Sequence, residues 1–407
     1  MIMGKYSLLF FIVCFLFFIP GFSSAQVKIT LDSCIARALE SNYSIKIIRN
    51  QQRQAENNLN YGPFLPTIGI DAAQKQSITD SKVVSDGEDR RADNSRSDAL
   101  SAGVSLNWRL FDGMEMFMTH NRYAEMLAIG ELNTKAAVEN LIVEVSSYYY
   151  DVVRQHSKLE AARHSLELSN ARYAEARDKY VIGVLSGLEA QQAKLDLNAD
   201  SSNYMKEKEL LKSAYISLNT IMNTDLQKHM YVDDSIRLHM PLQYQDLLTD
   251  LLQYNTTLQI GRRDRKVSEL DMKIARAALF PKLDFDAGYN YNRTKSPASV
   301  TSLNRSNGPY WGFSLSVDIF NRLENRRKIR NAKLDMENAA LSYQEAEQQV
   351  KADLAQLYNT YENNLQIVSF EEESERVAFD NLDAALEKYK LGTLQGISAQ
   401  LYRCRRP

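Results

Sequence analysis

The stretch ALSAGVSLNWRLFDG, residues 99–113, sorts its side chains to two sides. Leu100, Ala102, Val104, Leu106, Trp108 and Leu110 fall on one, and Ser101, Gly103, Ser105, Asn107 and Arg109 on the other. That period of two predicts a two-faced β-strand. Three further segments repeat it. Ile68, Ile70 and Ala72 oppose Thr67, Gly69 and Asp71. Leu283, Phe285, Ala287, Tyr289 and Tyr291 oppose Asp284, Asp286, Gly288, Asn290 and Asn292, and Trp311, Phe313, Leu315, Val317 and Ile319 oppose Gly312, Ser314, Ser316 and Asp318. Segments of about ten residues suit tilted strands crossing a bilayer, and Trp108, Tyr289, Tyr291 and Trp311 stand near segment ends, where an aromatic belt would lie. The same alternation fits an ordinary antiparallel sheet packed on a helix and wet on its other side. What favours the membrane is the pair of long hydrophilic connections, 74–98 and 292–308, which read as outer loops of an exported barrel.

Between these strands the period changes to that of helices. Val138, Val145, Val152, Leu159, Leu166, Tyr173 and Tyr180 recur every seven residues, with Leu141, Tyr148, Ala162 and Ala176 between them and Gln155 and Ser169 as exceptions. A strict heptad predicts a coiled-coil seam with a left-handed supercoil. Proline positions agree: none lies between Pro66 and Pro241 or between Pro309 and Pro407, so nothing there breaks a helix. From Gly113 to Gly183 the chain would form a rod on the order of 100 Å.

The chain is written twice. KYVIGVLSGLEAQ (179–191) matches KYKLGTLQGISAQ (388–400), and SLNWRLFD (105–112) matches SLSVDIFN (314–321), both at a shift of 209 residues. FLPTIGIDA and LFPKLDFDA extend the match at a shift of 215, placing Pro66 on Pro281. Each copy predicts a helix (about Leu31 to Asn60; about Tyr244 to Leu279), a strand pair, a very long helix and a Gly-containing turn; in the first copy a returning helix runs from about Ser186 to Asn223. The expected division is a leader over 1–25, a first repeat over 26–223, a linker over 224–243 and a second repeat over 244–407. In the second repeat Leu354, Tyr361, Val368, Leu382 and Tyr389 keep the seam, while Glu375 interrupts it.

Composition narrows the setting. Lys5 precedes a long apolar run broken by Pro20-Gly21 and followed by Ser23-Ser24-Ala25, which reads as a cleaved secretory signal, with a retained anchor as the alternative. Cys34 and Cys404 are the only cysteines beyond it, and form neither a disulfide framework nor a metal cluster. With 49 Lys and Arg against 51 Asp and Glu, the net charge of -2 gives no field that would draw nucleic acid. No histidine pair has i, i+4 spacing, and no phosphate loop or nucleophile elbow occurs, so catalytic site, cofactor and metal are all expected to be absent. The chain reads as an α+β membrane protein: long antiparallel coiled-coil helices plus four strands per protomer. Four strands cannot close a barrel around a channel and open edges cannot sit in lipid, so three copies supplying twelve strands are expected. Leu106, Trp108, Phe285, Phe313 and Leu315 would face lipid, and Asn107, Arg109, Asp284, Asp286 and Asp318 the pore.

The order, spacing and duplication of these features resemble the TolC-like outer-membrane efflux proteins. Carrying the likeness are LFDG (110–113) and IFN (319–321) at strand-to-helix junctions, so that Phe111, Asp112, Gly113, Phe320 and Asn321 join Pro66 and Pro281 as junction residues, and the turns YVIG and YKLG. The resemblance implies a homotrimer whose 12-stranded β-barrel in the outer membrane continues into a helical barrel in the periplasm. It implies the exit duct of a tripartite efflux pump or type I secretion system, docking a periplasmic adaptor, and through it an inner-membrane pump, at the hairpin tips. By position those tips are Gly183, Val184 and Gly187 in the first repeat and Gly392, Thr393 and Gly396 in the second. Ser398 stands where some relatives place an entrance acid, so no aspartate gate is expected; Glu189 is the acid at the first-repeat equivalent. The run 371–373 reads as a solvated face. After Gln400 the repeat register is lost in LYRCRRP, which suggests a truncated or frameshifted product that leaves Leu354 and Tyr361 partly uncovered. Two other classes compete with the channel: a periplasmic coiled-coil scaffold, and a non-functional remnant.

Overall fold

The computed structural model describes residues 28–85, 88–227, 231–232, 242–296 and 302–390. The leader, the second tip (Gly392, Thr393 and Gly396) and Ser398 lie outside them. In chain order the elements are β1 (Lys28–Ile29), α1 (Leu31–Ser41), α2 (Tyr43–Asn58), β2 (Thr67–Ser85), β3 (Glu88–Phe111), α3 (Glu115–Val181) and α4 (Gly187–Ile221), followed by β4 (Tyr231–Val232), α5 (Tyr244–Tyr254), α6 (Thr256–Ala277), β5 (Lys282–Lys295), β6 (Leu303–Ser316) and α7 (Glu324–Lys390). Both α3 and α7 hold 67 residues.

The first helix of each repeat is divided rather than continuous. The break falls on an asparagine in both copies: Asn42 (φ -61°, ψ 130°) and Asn255 (φ -60°, ψ 124°) leave the helical region. Asn255 then caps α6, its side chain accepting from the Leu258 N–H at 3.1 Å, which is the local bonding that lets asparagine compete with a continuing helix.

Two compact units are each assembled from both repeats. One comprises residues 1–43, 139–240 and 366–407. Its core gathers Cys34 and Ala38 of α1, Val145, Tyr149 and Val152 of α3, and Leu218 and Ile221 of α4 together with Met222. Side chains fasten the ends: Ser41 Oγ donates to the Met222 carbonyl (2.5 Å), Asn42 Nδ2 to the Ile221 carbonyl (3.0 Å), and the Tyr149 hydroxyl to the Ile29 carbonyl (3.2 Å). β1 and β4 pair in parallel, so the segment between the repeats is tied to the start of the described chain.

The heptad seam of α3 is visible in burial. Val145 and Val152 are fully buried, and Leu141 and Ala162 nearly so. Tyr149 occupies the place expected for Tyr148, which is only half-buried; a 3.6-residue helix drifts against a seven-residue repeat. Both polar exceptions turn inward. Gln155 and Ser169 are buried, and the Ser169 hydroxyl is spent on the Asp200 carboxylate of α4.

The other unit comprises residues 44–138 and 241–365 and contains all four long strands. Ile45, Leu258, Leu270, Ala277 and Met116 form its helical core. Leu354 and Tyr361 are half-buried here, and α5 covers this part of α7: the Tyr358 hydroxyl donates to the Leu242 carbonyl (3.2 Å), and the Tyr244 ring meets the Tyr358 ring edge-on at 5.3 Å. The sheet is antiparallel throughout, in the order β2-β3-β5-β6.

The strands run beyond the alternating segments. β2 and β3 pair to Ser85↔Glu88, so most of the stretch expected as a loop is a polar ribbon, with a bulge between Thr79 and Ser81. β5 and β6 likewise continue to Lys295↔Leu303. Ile78, Thr79, Val83 and Val84 favour extended backbone, but their polar neighbours leave no continuous apolar face to announce it. At the other end β6 stops early: Asp318, expected within that strand together with Val317 and Ile319, lies past its end at Ser316. The reason is across the ladder. β5 begins at Lys282, paired with Ser316, and its predecessor Pro281 has no N–H to offer the next rung.

Candidate functional site

The register gathers the four strands' apolar side chains on one face of the sheet. Ile68 pairs with Leu106 and Ile70 with Val104; across the next seam Trp108 pairs with Phe285, Leu106 with Ala287 and Val104 with Tyr289; beyond it Phe285 pairs with Phe313, Ala287 with Trp311 and Leu283 with Leu315. Directly opposed residues share a face, so this is one continuous apolar surface. It is uncovered: Ile70 is 83 % exposed, Trp311 74 % and Leu315 69 %. The rings of Phe285 and Phe313 meet at 4.9 Å along it.

The opposite face carries the polar set. Thr67, Asn107, Asp286 and Gly312 form one row, and Arg109, Asp284 and Ser314 the next. Arg109 Nε donates to Asp284 Oδ1 at 2.9 Å. A bulge between Arg109 and Phe111 then sets Phe111 against Leu283, which brings it to the apolar side, and makes Leu110 the extra residue. Beside it Trp108 Nε1 donates to the Phe64 carbonyl at 2.9 Å, an amphipathic indole with one end apolar and one bonded.

Both strand-to-helix junctions use one device. Asp112 Oδ2 accepts from the Met116 N–H (2.9 Å), and Asn321 Oδ1 accepts from the Asn325 N–H (3.3 Å). Two residues of positive φ follow each acceptor: Gly113 (73°) and Met114 (72°), Arg322 (58°) and Leu323 (64°). A Cβ on Gly113 would come 2.6 Å from the Ala277 carbonyl oxygen and 2.7 Å from Phe280 Cβ, so glycine is required there by space as well as by φ. Pro66 and Pro281 directly precede β2 and β5.

Below the first junction α3 is tied to α6 by Glu125. This carboxylate is one-tenth exposed and takes Arg263 Nη1 at 2.7 Å and Lys266 Nζ at 2.6 Å. Burial pushes its pKa up, but hydrogen bonds from Lys266 and Arg263 and the charge of both outweigh that and hold it below the usual glutamate range. Nothing in the sequence singled out Glu125: its partners lie on another repeat, and no local spacing joins them.

The first turn between long helices is closed by glycine. The Val184 N–H reaches the Lys179 carbonyl at 2.9 Å and the Gly183 N–H the Tyr180 carbonyl at 3.0 Å, with Gly183 at φ 78°, the double bond of a Schellman stop. α4 then starts on a capping box: Ser186 Oγ accepts from the Glu189 N–H (3.3 Å), while Glu189 Oε2 accepts from the Ser186 N–H (3.0 Å). The Ser186 hydroxyl and N–H hold the Glu189 pKa below its ordinary value. Around this turn Val181, Ile182, Val184 and Leu188 are exposed, Leu188 to 78 %. Gly187 tucks beneath Tyr180, whose ring would lie 3.3 Å from an added Cβ.

Among the described residues no group of three His, Cys, Asp or Glu could hold a metal, and no helix is long and apolar enough to cross a membrane. The outer membrane efflux protein family model matches residues 35–224 and 247–398. The chain is 23 % identical over 374 residues to the pyoverdine export outer membrane protein OpmQ of Pseudomonas aeruginosa, covering 89 % of this chain and 76 % of that one. Its fold is similar to the CmeC outer membrane channel of Campylobacter jejuni, with a TM-score of 0.72 at 17 % identity over 92 % of this chain and 79 % of that one. CusC gives a TM-score of 0.70 at 16 % identity, over 93 % and 86 %. Two matched repeats that include four two-faced strands and both junctions place this chain in the outer membrane efflux protein family, the TolC-like channels of the outer membrane.

Proposed function

We propose that the chain is one third of an exit duct, a passive conduit that carries small molecules out through the outer membrane at the end of a tripartite efflux pump. The observation that carries this is the exposed apolar face running without interruption over β2, β3, β5 and β6. A surface of that extent is not left to water in a soluble protein. Among the described residues β2 and β6 each keep one unpaired edge, and unpaired backbone in hydrocarbon costs several kcal/mol per group. Three copies joined edge to edge give twelve strands and remove both edges. Leu106, Trp108, Phe285, Phe313 and Leu315 then face lipid, while Asn107, Arg109, Asp284 and Asp286 line the lumen.

The exposed apolar residues around Gly183 supply a surface for the periplasmic adaptor, and the second tip is its repeat equivalent. Energy enters at an inner-membrane pump, so the chain has no catalytic step. Small-molecule export, rather than type I protein secretion, is favoured by the likeness to a pyoverdine export protein. Spin labels at Leu106 and Phe313 test the reading in purified outer membranes. Lipid-like accessibility to oxygen at both supports it; water-like accessibility overturns it.

A further inference from the structure

Where the apolar face ends, its character inverts. On β5, the same side that carries Phe285, Ala287, Tyr289 and Tyr291 continues as Arg293 and Lys295. On β6 it continues as Arg305, and on β3 as Asp98 and then Arg96. Arg293 and Arg305 are direct cross-strand partners. Like charges directly opposed destabilise a sheet, and neither arginine, nor Lys295, has a carboxylate within ion-pairing distance among the described residues. Arg96, Arg293, Lys295 and Arg305 are all exposed. The one acid on this face, Asp98, accepts from Gln76 Nε2 at 2.7 Å and lies 3.9 Å from Arg96.

We infer that Arg293, Arg305 and Lys295, with Arg96 beside them, form a docking surface for the phosphate groups of a phosphorylated glycolipid in the outer leaflet. The inference rests on the lipid-facing reading of the sheet. On that reading Arg293 and Lys295 follow the last apolar position of β5, Tyr291, by two and four residues. They therefore stand at the boundary of the hydrocarbon, where headgroup phosphates begin. A phosphate bridging Arg293 and Arg305 converts a repulsive pair into a clamp, since guanidinium groups bind phosphate through paired hydrogen bonds. Continuity with the apolar band selects a lipid over a soluble anion: the acyl chains lie along Leu100 and Tyr291 while the headgroup meets the arginines.

The test uses full-length protein extracted in mild detergent from outer membranes, with bound glycolipid phosphate measured per protein. Wild type is expected to retain the phosphorylated glycolipid and not an enzymatically dephosphorylated form. The R293A/R305A variant is expected to lose about thirtyfold in retention, the order set by two charges at an anionic surface; R293K/R305K, which keeps the charge, retains more than the alanine variant. Equal retention by R293A/R305A, equal retention of the dephosphorylated lipid, or removal of the lipid by millimolar inorganic phosphate would each overturn the inference. Quenching of Trp311 by brominated lipids in a W108F background, where Trp311 is the remaining tryptophan, separates the two claims. A quenched Trp311 with unchanged retention overturns the glycolipid surface alone, and an unquenched Trp311 overturns the lipid-facing reading with it.

Discussion

Gly113 and Gly183 both adopt positive φ, at 73° and 78°, but they are not equivalent. An added methyl on Gly113 meets a carbonyl oxygen at 2.6 Å, while around Gly183 nothing lies within 4 Å. Gly183→Ala is therefore expected to cost only the backbone strain of about 1 kcal/mol. Gly113→Ala adds a clash with backbone that cannot yield cheaply, for a total of about 3 kcal/mol. The melting temperature of the purified protein should fall clearly more for Gly113→Ala. Single residues of this kind were legible in part: LFDG was visible as a motif at a strand-to-helix junction. That Met114, Arg322 and Leu323 share the left-handed conformation was not readable, because the tertiary packing of the junction overrides their preference.

At the scale of elements, the periods of two and of seven told strands from helices, and Pro66 and Pro281 marked where β2 and β5 begin, whereas Pro309 falls inside β6. What periodicity missed has a common physical cause. The upper halves of β2 and β3 are polar on both faces, so extended backbone leaves no alternation to detect. Asn42 and Asn255 interrupt helices whose side-chain pattern runs on through them. Pairings between repeats, such as Glu125 with Arg263 and Lys266, are separated by more than a hundred residues and have no local signature.

That ion cluster makes a prediction about pH. Glu125 has its folded pKa depressed, so its contribution to stability is present above the unfolded value of about 4.3 and is lost as pH falls through the lower folded value. Glu125→Gln should weaken the α3–α6 contact by about 1–2 kcal/mol at pH 7, a figure reduced because both cations are half-exposed. The loss of stability on acidification below pH 4.3 should shrink in the same variant; thermal melts across pH 3 to 7 read both. At the hairpin, Ser186→Ala removes one arm of the capping box and should cost about 1 kcal/mol, seen as faster amide exchange over residues 187–190 with no change elsewhere.

For the whole molecule, the decisive property is that one face of the sheet is apolar and the other polar, residue by residue. Phe313 and Ser314 are neighbours on opposite faces. Phe313→Arg is expected to oppose membrane insertion by about 2–4 kcal/mol and Ser314→Arg to be tolerated while altering conductance. Oligomer yield from outer membranes and single-channel recording distinguish the two; equal effects would mean that the faces are not separated by lipid and water.

If three copies form the proposed barrel, the edges of β2 and β6 that are unpaired among the described residues also govern how it is made. A solitary protomer has no comfortable resting state within hydrocarbon, since both its margins would present bare amides there. On the proposed trimer assembly and insertion proceed together, and the rate of pore formation should climb more steeply than linearly with the amount of chain exported. On that reading the chain should be scarce in the membrane when dilute and become abundant once encounters among three copies are frequent.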